Sequence, residues 1–145
     1  MTFLPLTKDD LSLLSLAKSK GYKDEWNENM LDSAINANNF FGVKLLDNDK
    51  VLGYMHYSVA ITDADVNSVF VFPEYRGLGI GLKLLSYAEK EMISKNVEKI
   101  FLEVRESNLP AIKLYKKASF KNISVRKKYY DNGETAVVML KEIKL

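Results

Sequence analysis

The sequence predicts an α+β (mixed α/β) fold: a central mixed, mostly antiparallel sheet of about seven strands flanked by about four helices. Three observations predict it. Strand-like segments meet across short polar turns at Asp47-Asn48-Asp49-Lys50 and Asp131-Asn132-Gly133, as in antiparallel hairpins. A strand, a long helix and a further strand follow one another between Val66 and Val104, which makes a crossover. Two amphipathic segments precede the first hairpin and bring helices to the sheet.

Each element has its own signal. Phe3 to Leu6 reads as a short extended lead-in. Thr7 is placed to cap a helix running to about Lys20, with Asp9 and Asp10 in its first turn and Gly21 at its end. Asn27 is placed to cap a second helix carrying Met30, Leu31, Ala34 and Ile35 on one side. Phe40 to Leu46 and Val51 to Ile61 form the first hairpin, and Val66 to Phe72 is a third apolar strand stopped by Pro73. After a glycine-rich turn, a helix runs to about Asn96 with Leu84, Leu85, Ala88 and Met92 on one face. Lys99 to Val104 is a strand, and Leu109 to Ala118 a helix opened by Ser107, Asn108 and Pro110. Lys121 to Tyr129 and Thr135 to Ile143 close the chain as a second hairpin.

Composition limits the function. The 145 residues suit one domain, residues 1–145, without a linker or an internal repeat. Apolar residues make up 47% and charged residues 28%, an ordinary globular balance. A net charge of +2 gives no footing for nucleic acid or a membrane as the main partner. There is no cysteine, which excludes disulfides, a thiolate zinc site and a cysteine nucleophile. His56 is the one histidine, so a catalytic triad and a multi-histidine metal site are excluded as well. No signal peptide or spanning segment is legible, so the expected location is cytoplasmic.

The most informative segment is Arg76-Gly77-Leu78-Gly79-Ile80-Gly81, between a strand and a helix. The first N–H groups of a helix lack partners within it, and the helix dipole adds positive potential there. Glycine lets a phosphate approach the backbone without a Cβ in the way, so the turn suits a pyrophosphate. Arg76 adds a positive charge at its edge. A P-loop does not fit, because Gly81 is followed by Leu82-Lys83. The dinucleotide fingerprint does not fit either, because its third glycine belongs at position 82. A tight turn that binds nothing is the plain alternative.

The spacing of Arg76, Gly79 and Gly81 resembles the pyrophosphate loop of the GCN5-related N-acetyltransferases (GNAT). Leu102-Glu103-Val104-Arg105-Glu106-Ser107-Asn108-Leu109-Pro110-Ala111-Ile112-Lys113-Leu114-Tyr115 resembles that family's downstream strand–helix block. It is most similar to the branch that acetylates the N-terminal alanine of a small-subunit ribosomal protein. Arg126-Lys127-Lys128-Tyr129-Tyr130 and Trp26-Asn27-Glu28 resemble two further segments of that branch. The resemblance implies acetyl-CoA as co-substrate, no metal, and transfer of acetyl to a primary amine by direct attack. It implies that Val69, Phe70 and Val71 pair with the pantetheine arm and that Gly77, Leu78, Gly79, Ile80, Gly81 and Leu82, beside Arg76, hold the pyrophosphate. Asn108 would bond the coenzyme, Glu103 would be the general base and Tyr115 the general acid. Where the family has Leu-Gly-Phe, this chain has Ala118-Ser119-Phe120, so a left-handed residue at 119 would cost about 1 kcal/mol.

The chemistry is consistent with that assignment. An α-amino group titrates near ~8 and a lysine near ~10.4, so a protein N-terminus is the easier nucleophile at neutral pH. A small-molecule or lysine amine is the alternative acceptor, and a non-catalytic acetyl-CoA-binding module the alternative class. The oligomeric state is left open. Taken singly, the residues also have structural uses. Glu103 suits a solvated strand position, Tyr115 core packing near Ile112 and Ala118, Asn108 a helix cap, and His56 a strand interior. Arg126-Lys127-Lys128 suits a solvated edge or contact with a ribosomal or acidic peptide partner.

Overall fold

The computed structural model describes residues 1–143. Alternation along strands and 3.6-residue spacing along helices build seven strands and four α-helices. In chain order they are β1 (Thr2–Pro5), α1 (Ser12–Ser19), α2 (Glu28–Ala34), β2 (Phe40–Asp47), β3 (Lys50–Ala60) and β4 (Asp63–Val71). There follow α3 (Ile80–Ser94), β5 (Lys99–Arg105), α4 (Leu109–Lys117), β6 (Lys121–Arg126) and β7 (Ala136–Glu142). One sheet runs β1-β2-β3-β4-β5-β7-β6, antiparallel except for β4 beside β5. The α+β class, the order of elements and their approximate number are those the sequence predicts.

Local chemistry sets the boundaries. Thr7 caps not the expected long helix but a 3-10 turn at Lys8–Asp10, and Asp10 returns a bond to the Thr7 N–H at 2.8 Å. The α-helix begins only at Ser12 and ends at Ser19. Asn27 caps α2 as expected, its side chain accepting from the Met30 N–H at 2.9 Å. Of that helix's apolar residues Leu31 is buried, whereas Met30 is exposed. Positive φ angles at Asn48 and Asp49 close the first hairpin tightly. The last hairpin is looser than its sequence suggests. β6 stops at Arg126, and Lys127 to Thr135 form the connection. There Gly133, with φ of 81°, donates to the Tyr130 carbonyl at 2.8 Å.

Two apolar layers cover the sheet. Leu84, Leu85, Ala88 and Met92 of α3 are buried with Val66, Leu102 and Val104 on one face, as the helical spacing predicts. On the other face Leu14, Ala17 and Leu31 from α1 and α2 pack with Tyr54, Phe70 and Phe72. None of the described helices is long and apolar enough to cross a membrane.

Candidate active site

The cleft is made by two neighbouring strands that part company. β4 and β5 pair in parallel only from Asp63↔Lys99 to Val66↔Leu102. Beyond that, β4 follows β3 to Val71, and β5 follows β7 to Arg105. A bulge marks the divergence: His56 pairs with Ser68 and Tyr57 with Val66, leaving Asn67 as the extra residue. The side-chain alternation therefore reverses along β4. Val66 points into the α3 layer, whereas Phe70 joins the α1–α2 layer. The gap is a cavity of about 720 Å³ lined by Val69, Phe70 and Val71 on the β4 side. The β5-facing backbone of those residues has no strand partner; apart from the Val71 carbonyl, which Arg76 bonds, it is open to an extended ligand.

The glycine turn closes one end. Gly77 and Gly79 have φ of 79° and 78°, a conformation that glycine adopts without strain. Gly79 caps α3 with no side chain over the helix end. Lys83 is the residue whose N–H first bonds back, to the Gly79 carbonyl at 3.0 Å, which leaves the N–H groups of Ile80, Gly81 and Leu82 as free donors. A Cβ built at Gly79 meets no protein atom within 4 Å, so the space above the turn is open to a ligand. A Cβ at Gly81 would lie 2.9 Å from Leu114 Cδ2, so this glycine serves close packing of α3 on α4. Arg76 donates from Nε to the Val71 carbonyl at 3.0 Å, and its guanidinium lies over the Phe70 ring at 5.6 Å. Leu78, in contrast, is 63% exposed and does not line the cavity.

The other predicted residues line the same cavity. Asn108 caps α4, accepting from the Ala111 N–H at 3.3 Å, so its structural use is realised. Glu103 lies on the face opposite Leu102 and Val104, and its Oε1 meets Arg126 Nε at 3.4 Å. Tyr115 projects from α4 and is 7% exposed, with its ring edge-on to Phe120 at 5.9 Å. Burial pushes its phenol up, and the neighbouring Tyr130 adds to the shift. The Tyr115 hydroxyl makes no hydrogen bond to another described residue.

Several cavity residues carried no legible signal: Tyr22, Asp24 and Glu25 of the α1–α2 loop and Ser68 of β4. Tyr130, from the β6–β7 loop, was marked only by the resemblance of its segment. Burial pushes Tyr22 well up, with the Asp24 carboxylate adding to the shift. Tyr130 is pushed up to about 12 by burial, against the pull of Arg105. Arg105, the last residue of β5, fastens the two loops. It bonds Glu25 on one side and Glu134 at 3.3 Å on the other, and stacks on Tyr130 at 4.0 Å. The Trp26-Asn27-Glu28 segment marked the first loop, but nothing in the chain's periodicity ties it to position 105.

His56 is structural, as its strand position suggests. It is fully buried, edge-on to Trp26 at 4.8 Å, and burial lowers its pKa to about 3. Among the described residues no cluster of histidine, aspartate or glutamate is arranged to hold a metal.

A splayed sheet with an amide-lined turn at the root of its cleft is the architecture of an acyl-CoA-type transferase, and the family comparison gives the same class. The acetyltransferase (GNAT) family model matches residues 9–120, and the chain belongs to that family. Within it the chain is 34% identical over 104 residues to the [ribosomal protein bS18]-alanine N-acetyltransferase of Haemophilus influenzae, covering 69% of this chain and 70% of that protein. The crystal structure of the ribosomal-protein-S18-alanine N-acetyltransferase from Escherichia coli superposes with a TM-score of 0.88 at 27% identity, covering 99% of this chain and 94% of that one. An N-alpha-acetyltransferase of Sulfurisphaera tokodaii is 49% identical over 75 residues, covering 51% of this chain and 45% of that protein, so the chain spans about half the length of that relative.

Proposed function

We propose that residues 1–145 form one acetyl-CoA-dependent N-acetyltransferase domain. Its acceptor is a protein N-terminal α-amine, such as the alanine of a small-subunit ribosomal protein, and its location is cytoplasmic. The observation that carries this reading is the separation of β4 from β5 beyond Val66↔Leu102, with the α3 N-terminus at one end of the gap and Glu103 and Tyr115 lining it. The relatives named for bacterial ribosomal-protein alanine acetylation favour this acceptor over a small amine or a lysine.

Acetyl-CoA supplies an activated thioester whose carbonyl carbon takes the amine. The free N–H groups of residues 80–82 and the positive end of α3 receive the diphosphate, and Arg76 adds charge beside them. The open backbone of Val69, Phe70 and Val71 aligns the pantetheine arm as a strand would. Asn108 bonds the coenzyme from the mouth of α4. Glu103 accepts the proton that the acceptor ammonium must lose before it attacks. Tyr115, held protonated by burial, donates its proton to the departing thiolate sulfur as the C–S bond breaks, and is reprotonated by the second proton that the newly acylated nitrogen sheds.

A thiol-release assay with acetyl-CoA and peptides of varied N-terminus tests the proposal. Turnover is expected with alanine- or serine-starting peptides and not with the same peptides already acetylated. Faster release with polyamines or free lysine would replace the acceptor assignment, and no turnover with any amine would remove the enzymatic one.

A further inference from the structure

The cavity wall on the acceptor side contains a carboxylate with no ion-pair partner among the described residues. Three carboxylates line the cavity: Asp24, Glu25 and Glu103. Glu25 is paired with Arg105, and Glu103 with Arg126. Asp24 has no ion-pair partner among the described residues. Burial raises its carboxyl, against the bonds from Trp26 and Ser68 and a weaker pull from Lys18 beyond ion-pair distance; Lys20 and Lys23 line the same wall without closing a bridge to it.

The bonds it does make fix it in place. Oδ1 accepts from the Trp26 N–H at 3.0 Å and from Ser68 Oγ at 2.9 Å, which ties the α1–α2 loop to β4 one residue before Val69. Oδ2 is shielded and meets no donor. The polar groups behind it are also unpartnered: the Tyr54 hydroxyl and both ring nitrogens of His56, each side chain fully buried. His56 pairs with Ser68 across β3 and β4, and burial raises the Tyr54 phenol, with the charge of Asp24 adding to the shift. The enclosed, unpartnered side-chain atoms found among the described residues thus belong to this one neighbourhood. A partly buried carboxylate that lacks a counter-charge is costly unless a ligand supplies one.

We infer that the Asp24 carboxylate receives the ammonium group of the acceptor and so selects amines that arrive positively charged. The inference rests on the N-acetyltransferase reading, in which such an ammonium is the one cation the reaction brings to this wall. Asp24 binds the amine before it loses its proton; Glu103 remains the group that takes the proton. The Ser68 and Trp26 bonds place the carboxylate beside the β4 residues assigned to the thioester arm.

Asp24→Asn is the discriminating variant, because the amide keeps an oxygen for Ser68 and Trp26 and removes the charge. With an alanine-starting peptide, the acceptor KM is expected to rise about 10- to 100-fold, the effect of losing one charge-assisted bond. The Kd for acetyl-CoA in calorimetry is expected to stay as in the wild type, and the melting temperature of the free protein to hold or rise as the uncompensated charge is removed. An unchanged acceptor KM overturns the inference. Carbon-13 NMR of the wild type provides a measurement that does not depend on the variant folding. The Asp24 carboxyl resonance should move when the amino peptide is added, and stay when its des-amino analogue is added. Equal shifts with both peptides, or none with either, also overturn it. If the wild type acetylates no amine at all, the underlying enzymatic reading fails instead.

Discussion

Arg105 reaches Glu25, 80 positions earlier in the chain, and on its other side bonds Glu134. The last side chain of β5 thereby joins the two loops that flank the candidate acceptor site. Replacing it with alanine should free both loops. The acceptor KM is expected to rise severalfold while the Kd for acetyl-CoA holds, which steady-state kinetics and calorimetry would separate.

Glu134 gives the same cluster a pH signature. Bonds from Ser107 chiefly, with Asn132 and Arg105, hold its carboxyl down at about 2. A depressed carboxylate contributes stability that is present above its unfolded value and is lost as pH falls toward the folded one. Urea midpoints between pH 5 and about 2 should therefore fall less steeply in Glu134→Gln than in the wild type.

Gly79→Val should strike coenzyme binding. The valine Cβ meets nothing in the protein, but it occupies the space above the free amides of α3 and must sit at φ of 78°. The strain costs about 1–2 kcal/mol of stability. The loss of acetyl-CoA affinity should exceed tenfold in calorimetry, while an unchanged Kd would remove the pyrophosphate role from this turn.

Tyr115→Phe tests the acid. Its hydroxyl has no protein partner among the described residues, so the melting temperature should stay nearly constant. The expected result is a fall in kcat of about 100-fold or more with little change in coenzyme Kd. A variant with the wild-type kcat would leave Tyr115 as a packing residue against Phe120.

Ser119→Gly should stabilise the fold. Ser119 has φ of 75°, just after α4, where its N–H bonds back to the Lys116 carbonyl at 3.0 Å. Glycine there relieves about 1 kcal/mol of left-handed strain, less the entropy it adds to the unfolded chain. A rise of a few degrees in melting temperature is expected.

Legibility followed the range of the physics. The hairpin at Asn48-Asp49, the Asn27 cap and the buried stripe of α3 each depend on residues close in sequence, and each was readable. The left-handed turn at Ser119 was readable only through the family resemblance, which has glycine there, since serine itself carries no such signal. The glycine turn was readable because positive φ and a bare helix end leave a local mark. Thr7 misled in one respect: its capping box with Asp10 completes a 3-10 turn, so the α-helix starts later. The arrangement of Asp24 with Ser68, and of Arg105 with Glu25 and Glu134, joins segments 29 to 80 residues apart. A polar residue in a loop carries no period, so nothing in the chain announces which strand it will meet. The reach of the last hairpin failed for a similar reason, since Lys127 and Lys128 read as strand until the wide connection takes them out of the ladder.

The extra residue at Asn67 acts as a shift of reading frame in three dimensions. Before it, odd and even positions of β4 face one way; after it, they trade sides, so Ser68 and Phe70 join the wall that Asp24 supports. Straightening the bulge with Asn67 taken into the ladder would leave every side chain chemically intact, yet turn Val69 and Val71 toward α1 and α2 and hide Ser68 under α3. The identity of the cleft's lining is thus written partly in a count: deleting Asn67 would keep Ser68 opposite His56 and Val69 on its present side, and would remove chiefly the local kink at which β4 leaves β5.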